Sequence, residues 1–294
     1  MRKFGIIGDP VSHSKSPVLF KAAYGGAWPY ELIEGSDFET SWKRFLEEYA
    51  GINVTAPFKA SAFRKADMAT VATARIGAAN LIVKTPQGTE AHNSDFSGVI
   101  LSVREALAPG CAPASDETVL EEVRHLLPEL YPTRPEALVI GCGGAGRAAA
   151  VAAVEMGFRV RVMNRTYLKA VDLCREMPEM GFEAVHADRL QEAVRDADLV
   201  LYTATGALAG LQDLSEDVFS GKDPYERPSK LILEANYKDP SFTGSMLGRI
   251  ESAGAQYISG RRWLLYQAVS GYRIFTGREP DIHAMVFALN HETQ

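Results

Sequence analysis

The chain has 294 residues, with 31 Lys and Arg against 37 Asp and Glu, for a net charge of −6. Apolar content of 46% and charged content of 23% are those of a globular protein of about two domains, which excludes a disordered tail, a collagen-like repeat and a disulfide-stapled miniprotein. The acidic balance argues against nucleic acid and membrane surfaces as partners, because both leave a basic footprint, yet it leaves small anions open, since these need only a local positive site.

The first elements alternate between strand and helix. Lys3–Ile7 reads as a buried strand broken by Gly8-Asp9-Pro10. Ser16-Pro17 reads as an N-cap with proline at the first helical position, opening a helix to Tyr24 that Gly25-Gly26 stops. Tyr30–Ile33 is the next strand, Phe38–Tyr49 has helical apolar spacing, and Gly51–Thr55 is strand-like. Asn80–Lys84 and Thr89–His92 flank the turn Thr85-Pro86-Gln87-Gly88, and a helix follows from Asp95 to Leu107. Residues 109–133 change in composition and hold a charged helical stretch, Asp116–Leu127, which reads as a connector or surface insertion.

Glu136–Ile140 begins a second strand–helix series. A helix runs from about Gly144 to Gly157, and Phe158–Met163, Leu199–Tyr202 and Leu231–Glu234 are strands. Ser245–Ser252 is helical, Tyr257-Ile258 is a short strand, and Arg262–Leu289 is helical in two pieces separated by Gly277 and Pro280. The fold class is therefore α/β in two domains. Residues 1–108, completed by 263–294, form an α/β substrate domain, and residues 134–262 a Rossmann-like domain, with a cleft expected between them.

Three cysteines, Cys111, Cys142 and Cys174, are an odd count without metal-ligand spacing, and His92, His125, His186, His283 and His291 add no metal pattern. No metal is expected. There is neither a signal-peptide core after Met1 nor an apolar run of roughly 18–20 residues, so a cytoplasmic protein is expected. Trp28, Trp42 and Trp263 read as core or interface.

Gly141-Cys142-Gly143-Gly144-Ala145-Gly146 fits G-x-G-x-x-G between a strand and an alanine-rich helix. Glycines allow a tight turn and close backbone approach, and the helix N-terminus offers N–H groups to a pyrophosphate. About 20 residues on, NAD-binding folds carry an acidic residue for the ribose hydroxyl. Here Asn164-Arg165-Thr166 stands at the strand end, with Lys169 beyond. Arg165 can pair with a 2′-phosphate and Thr166 can donate to it, which favours NADP over NAD.

Three clusters precede residue 100: Ser12-His13-Ser14-Lys15-Ser16-Pro17, Asn53-Val54-Thr55-Ala56-Pro57-Phe58-Lys59, and Asn93-Ser94-Asp95 after Gly77-Ala78-Ala79-Asn80. Together they supply hydroxyls at a helix start, an amine, a carboxylate and amides at successive strand ends, where ligands of open α/β sheets bind. In these clusters, in the glycine loop, in Asn164-Arg165-Thr166 and in Gly260…Gln267, the chain resembles the shikimate dehydrogenase family over almost its whole length. The resemblance implies reversible reduction of 3-dehydroshikimate to shikimate with NADPH. It implies Lys59 as the acid with Asp95 as its partner, and Ser14 and Ser16 on the substrate carboxylate. Thr55, Asn80, Asp95 and Gln267 would hold the ring oxygens, with Tyr237 near the carboxylate. Thr203, Thr205, Ala235 and Gly260 fall on the nicotinamide side, and His13 positions its loop. A monomer or homodimer is expected.

The chain departs from the family pattern in places. Phe20-Lys21 stand where the family has His-Asn, Leu81 and Ser94 replace threonines, and Glu234–Pro240 has one extra residue before its proline. A quinate/shikimate dehydrogenase with broader substrate or cofactor use is the nearest alternative. A non-catalytic NADP-binding sensor is the alternative of another class.

Overall fold

The computed structural model describes residues 2–110, 115–220 and 230–291. Cys111, part of the expected connector and the end of the segment 263–294 lie outside the described residues. Contacts divide the chain into two compact units, Met1–Asp95 with Leu265–Gln294, and Phe96–Leu264.

The first unit is built on six strands, β1 (Phe4–Gly8), β2 (Tyr30–Glu34), β3 (Gly51–Val54), β4 (Met68–Ala69), β5 (Leu81–Thr85) and β6 (Gly88–His92). Their order is β2-β1-β3-β5-β6-β4. β1 pairs in parallel with β2 and β3, whereas β5 is antiparallel to both β3 and β6. β1 is buried along its whole length, as an interior strand covered on both faces should be. The helix Phe38–Glu48 starts at Asp37, whose side chain accepts from Thr40 N, and turns Trp42 and Phe45 inward. They pack with Ile7, Ile33, Ile52 and Val54. The helix Ser16–Tyr24 ends at Gly25, which takes the left-handed conformation that a side chain resists.

One expected cap differs. Lys15, not Ser16, precedes the helix Ser16–Tyr24, and it makes no side-chain cap. Ser14 instead supplies the acceptor, its Oγ taking the Ser16 N–H at 3.2 Å, so the hydroxyl at the helix start sits two residues before the expected one.

The second unit holds β7 (Glu136–Ile140), β8 (Arg159–Met163), β9 (Glu183–Val185), β10 (Leu199–Tyr202), β11 (Leu231–Glu234) and β12 (Gln256–Ile258). Every pair is parallel, in the order β12-β11-β10-β7-β8-β9. Read from β9, this is the 3-2-1-4-5-6 order of doubly wound dinucleotide-binding sheets, whose crevice lies where the order reverses, between β7 and β10. The core gathers Leu138, Ile140, Val200, Tyr202 and Ile232 with Phe219 and Phe242.

Residues read as a connector include the helix Asp116–Leu130, which begins at the Ser115 cap and buries Val119, Val123 and Leu127. Ser97 Oγ donates to Asp116 at 2.7 Å, Arg104 pairs with Glu122 at 2.6 Å, and Arg124 pairs with Glu155 at 3.0 Å. Its one-sided apolar stripe is thus a packing face of the second unit and not an exposed insertion. The C-terminal helices are Gly260–Thr276 and Ile282–Asn290, separated as the glycine and proline predict. Among the described residues no helix is long and apolar enough to cross a membrane, and no His/Cys/Asp/Glu group could hold a metal.

Candidate active site

Strand register puts the first-unit clusters at one sheet edge. Ile7 lies beside Val54, and Leu81 lies beside both Asn53 and His92. The residues that follow β1, β3 and β6, and those that precede the antiparallel β5, therefore emerge together. Thr55 N donates to Ile7 O at 2.9 Å and Asp9 N to Ala56 O at 3.2 Å, tying the serine loop to the Asn53–Lys59 turn.

At this edge Lys59 Nζ lies 2.5 Å from Asp95 Oδ2, with side-chain exposures of 19% and 6%. The helix Ser94–Leu107 begins here and carries Asp95 in its first turn, where the N-terminal dipole favours a carboxylate. Asp95 N donates to Asn93 Oδ1 at 3.1 Å, and Asn93 Nδ2 to Ala78 O at 2.8 Å. Asn80 Oδ1 accepts from Ser94 N at 2.7 Å and Ser94 Oγ at 3.3 Å, so its amide N–H groups are what it can offer a ligand. Ser14 and Ser16 are half-buried, with their hydroxyls 3.1 Å apart. Gln267 lies one turn before Gly271, whose Cβ, if added, would meet Leu81 at 2.8 Å and Ser94 Oγ at 3.5 Å. That close approach lays the helix Gly260–Thr276 along β5 and Ser94. Ser14, Ser16, Thr55, Lys59, Asn80, Asp95 and Gln267 thus all belong to the first unit.

In the second unit the glycine loop joins β7 to the helix Gly144–Met156. Gly141 has φ 110°, and a Cβ there would meet Thr203 Oγ1 at 2.5 Å. A Cβ on Gly146 would lie 1.9 Å from Gly141 O, whereas Gly143 faces open space. The loop is thus closed by two glycines and open at the third, where a pyrophosphate can approach the backbone. No side chain caps the helix at Gly143, so its first N–H groups remain for an anion. Substituting Gly146 by alanine is expected to cost about 1–3 kcal/mol or more, because the clash is with backbone. Thermal unfolding measures it, and an unchanged midpoint would refute the tight fit.

A cavity of about 200 Å³ is lined by Gly141, Cys142, Gly143, Asn164, Arg165, Thr166, Lys169, Thr203 and Thr205. Its donor set includes two exposed cations and no carboxylate, which suits a 2′-phosphate. Asn164 holds two loops together, accepting from Cys142 N at 3.3 Å and donating to Thr166 O at 3.1 Å. Burial pushes the Cys142 thiol up to about 12, so it sits there neutral. The lining also includes Ala204 and Gly206–Leu208, which sequence reasoning missed. Their signal is topological, since they follow β10 at the order reversal, and Tyr202 fixes them by donating to Gly206 O and accepting from Leu208 N. Gly144, Ala145, Gly146, Ala235 and Gly260 lie outside this lining.

Tyr237 is half-buried on the loop after β11. The extra residue of that loop is absorbed by Asn236, whose Oδ1 accepts from Lys238 N and Asp239 N, each at 3.2 Å. Gly260 packs on this loop, where a Cβ would meet Asn236 C at 2.6 Å. Fully buried Glu234 anchors the far side, accepting from Ser241 N at 2.5 Å and Tyr257 Oη at 2.7 Å. Burial raises the Glu234 carboxyl above its ordinary value, against the opposing hydrogen bonds. A raised folded value means stability that is present at low pH and lost as pH rises through it. The wild type should therefore lose stability relative to Glu234→Gln between about pH 4 and pH 8. Urea unfolding at both ends checks this, and a difference that does not vary with pH would contradict it.

The shikimate dehydrogenase substrate binding domain family matches residues 6–82, and the shikimate / quinate 5-dehydrogenase family matches residues 124–215. The NADP(+) shikimate dehydrogenase of Halobacterium salinarum is 32% identical, covering 98% of this chain and 98% of its own. That of Acidiphilium cryptum is 31% identical over 96% of this chain and 92% of its own. Among solved structures, Mycobacterium tuberculosis shikimate dehydrogenase has a TM-score of 0.76 at 28% identity, covering 99% of this chain and 100% of that one. The Thermus thermophilus shikimate 5-dehydrogenase in complex with NADP(H) and shikimate has a TM-score of 0.71 at 27% identity, with 99% of each chain covered.

Proposed function

The chain belongs to the shikimate dehydrogenase family, and on that premise we propose that it is an NADP-dependent shikimate dehydrogenase, reversibly reducing 3-dehydroshikimate to shikimate in chorismate and aromatic amino-acid biosynthesis. The observation that carries the reading is the Lys59–Asp95 pair at 2.5 Å, a proton donor held by a buried carboxylate at the sheet edge where the other substrate-side groups emerge. NADPH supplies the hydride when bound, and Gly141–Gly146, Asn164, Arg165, Thr166 and Lys169 are the residues that would hold it, with Thr203, Thr205, Ala235 and Gly260 on its nicotinamide side.

Reduction of a ketone needs one proton at the oxygen as negative charge develops there. Lys59 donates it, and its ammonium stabilises the developing alkoxide before transfer. Asp95 orients the amine through their shared hydrogen bond. In the reverse direction Lys59 takes the hydroxyl proton back. Ser14 and Ser16 donate to the substrate carboxylate, with Tyr237 beside it. Thr55, Asn80, Asp95 and Gln267 pair with the ring oxygens, so an analogue lacking one of those hydroxyls leaves a polar group unpaired and is rejected. The reading includes a cytoplasmic monomer or homodimer.

Mixing the protein with NADP and shikimate and following the nicotinamide absorbance tests the reading. Sustained reduction of NADP is the expected result. NADP binding without turnover would overturn it in favour of a sensor.

A further inference from the structure

Behind the serine loop, side-chain hydrogen bonds run through the first residue of β2 and through β3 to the residues that precede β5 and follow β6. Ser14 Oγ donates to Ser16 Oγ at 3.1 Å, and the Ser16 hydroxyl bonds to Tyr30. Tyr30 Oη donates to Asn53 Oδ1 at 2.7 Å, and Asn53 Nδ2 donates to Asn80 O at 3.2 Å. Asn80 in turn holds Ser94 N, next to Asp95. One phenol on β2 therefore joins the serine pair to the amide network that supports the Lys59–Asp95 end. Deleting this hydroxyl separates the serine pair from the amides.

The Tyr30 ring is itself fixed. Phe20, at the position where the family pattern has histidine, lies 5.0 Å from the Tyr30 ring and 4.9 Å from the Tyr272 ring. Tyr272 Oη donates to Ser16 O at 3.0 Å, holding the main chain of the same serine. Burial raises the Tyr30 phenol above its ordinary value, so it remains a protonated donor across the neutral range.

We infer that Tyr30 is a positioning residue, which accepts from the Ser16 hydroxyl in the free protein and donates to Asn53, so that both stand where the substrate's carboxylate and ring require them. The inference rests on the dehydrogenase reading above. When the anion binds, the Ser16 proton turns to it, and the phenol, whose own proton is on Asn53, keeps that amide in place.

The test compares Tyr30→Phe, which keeps the ring and removes the hydroxyl, with Tyr24→Phe. Tyr24 donates to Tyr272 O and Arg278 O, each at 3.0 Å, in the same aromatic cluster but without a bond to the serines or Asn53. In Tyr30→Phe the KM for shikimate should rise about 5–20-fold, with kcat within about threefold and the KM for NADP within about twofold. Tyr24→Phe should lower the melting temperature and leave the KM for shikimate alone. Asn53→Ala cuts the chain on the other side of the phenol and should also raise that KM, which keeps the test open if Tyr30→Phe does not fold. An unchanged shikimate KM in Tyr30→Phe or Asn53→Ala, or an equal change in Tyr24→Phe, overturns the inference alone. Absence of shikimate turnover by the unaltered protein overturns the dehydrogenase reading, and this role with it.

Discussion

Replacing Lys59 with methionine is expected to lower kcat at least about 10²-fold while moving the KM for shikimate only modestly. A positioned general acid contributes about 10²–10⁴-fold, and the ammonium's attraction for the alkoxide is greatest when the charge has developed. Methionine keeps much of the stem's volume and removes the charge and the proton. The ground-state contacts of the serines, Thr55 and Asn80 remain, which is why kcat rather than KM should respond. Asp95 loses the amine 2.5 Å away and stays buried, so the variant's melting temperature should also fall. Activity is therefore compared at a temperature where both proteins are folded. A near-normal kcat there would reject Lys59 as the acid.

The second large effect is expected at Arg165. Arg165→Ala should raise the KM for NADP about 10–10²-fold and leave the KM for NAD nearly unchanged. A charge-assisted hydrogen bond is worth about 1.5–3 kcal/mol, and about 1.4 kcal/mol is a factor of ten. Arg165 is exposed at the cavity mouth with Lys169 one turn further on, so added salt should screen the interaction. The loss should shrink at high ionic strength and grow when Lys169→Ala is combined with it. Equal losses for both cofactors would show that Arg165 serves the common part of the dinucleotide and not the 2′-phosphate.

How far the sequence reaches depends on the distance over which each feature is decided. The glycine loop and Asn164-Arg165-Thr166 are legible because strand, turn and helix start lie within one short segment, and the chemistry of a phosphate site is largely backbone chemistry. The Ser16 cap fails because Lys15 takes the N-cap position and Ser14 Oγ accepts the Ser16 N–H, a choice that only the built loop makes. The helix Asp116–Leu130 is legible as a helix, but the surface its stripe covers is not, since its partners are residues such as Glu155 far along the chain.

Residue identities by themselves determined the α/β alternation, the placement of both candidate ligand sites at strand ends, the phosphate loop and the choice of local cations in a chain of net charge −6. These follow from periodicity, turn chemistry and charge, which act over a few residues. Lys59 and Asp95, paired in the sequence only through the family resemblance, meet across 36 residues in the tertiary structure, and it alone decided that Tyr30 joins Ser16 to Asn53 and that Glu234 is buried under the Tyr237 loop. Each is a contact between side chains brought together by strand order and register, and neither strand order nor register is carried by the spacing of any one segment.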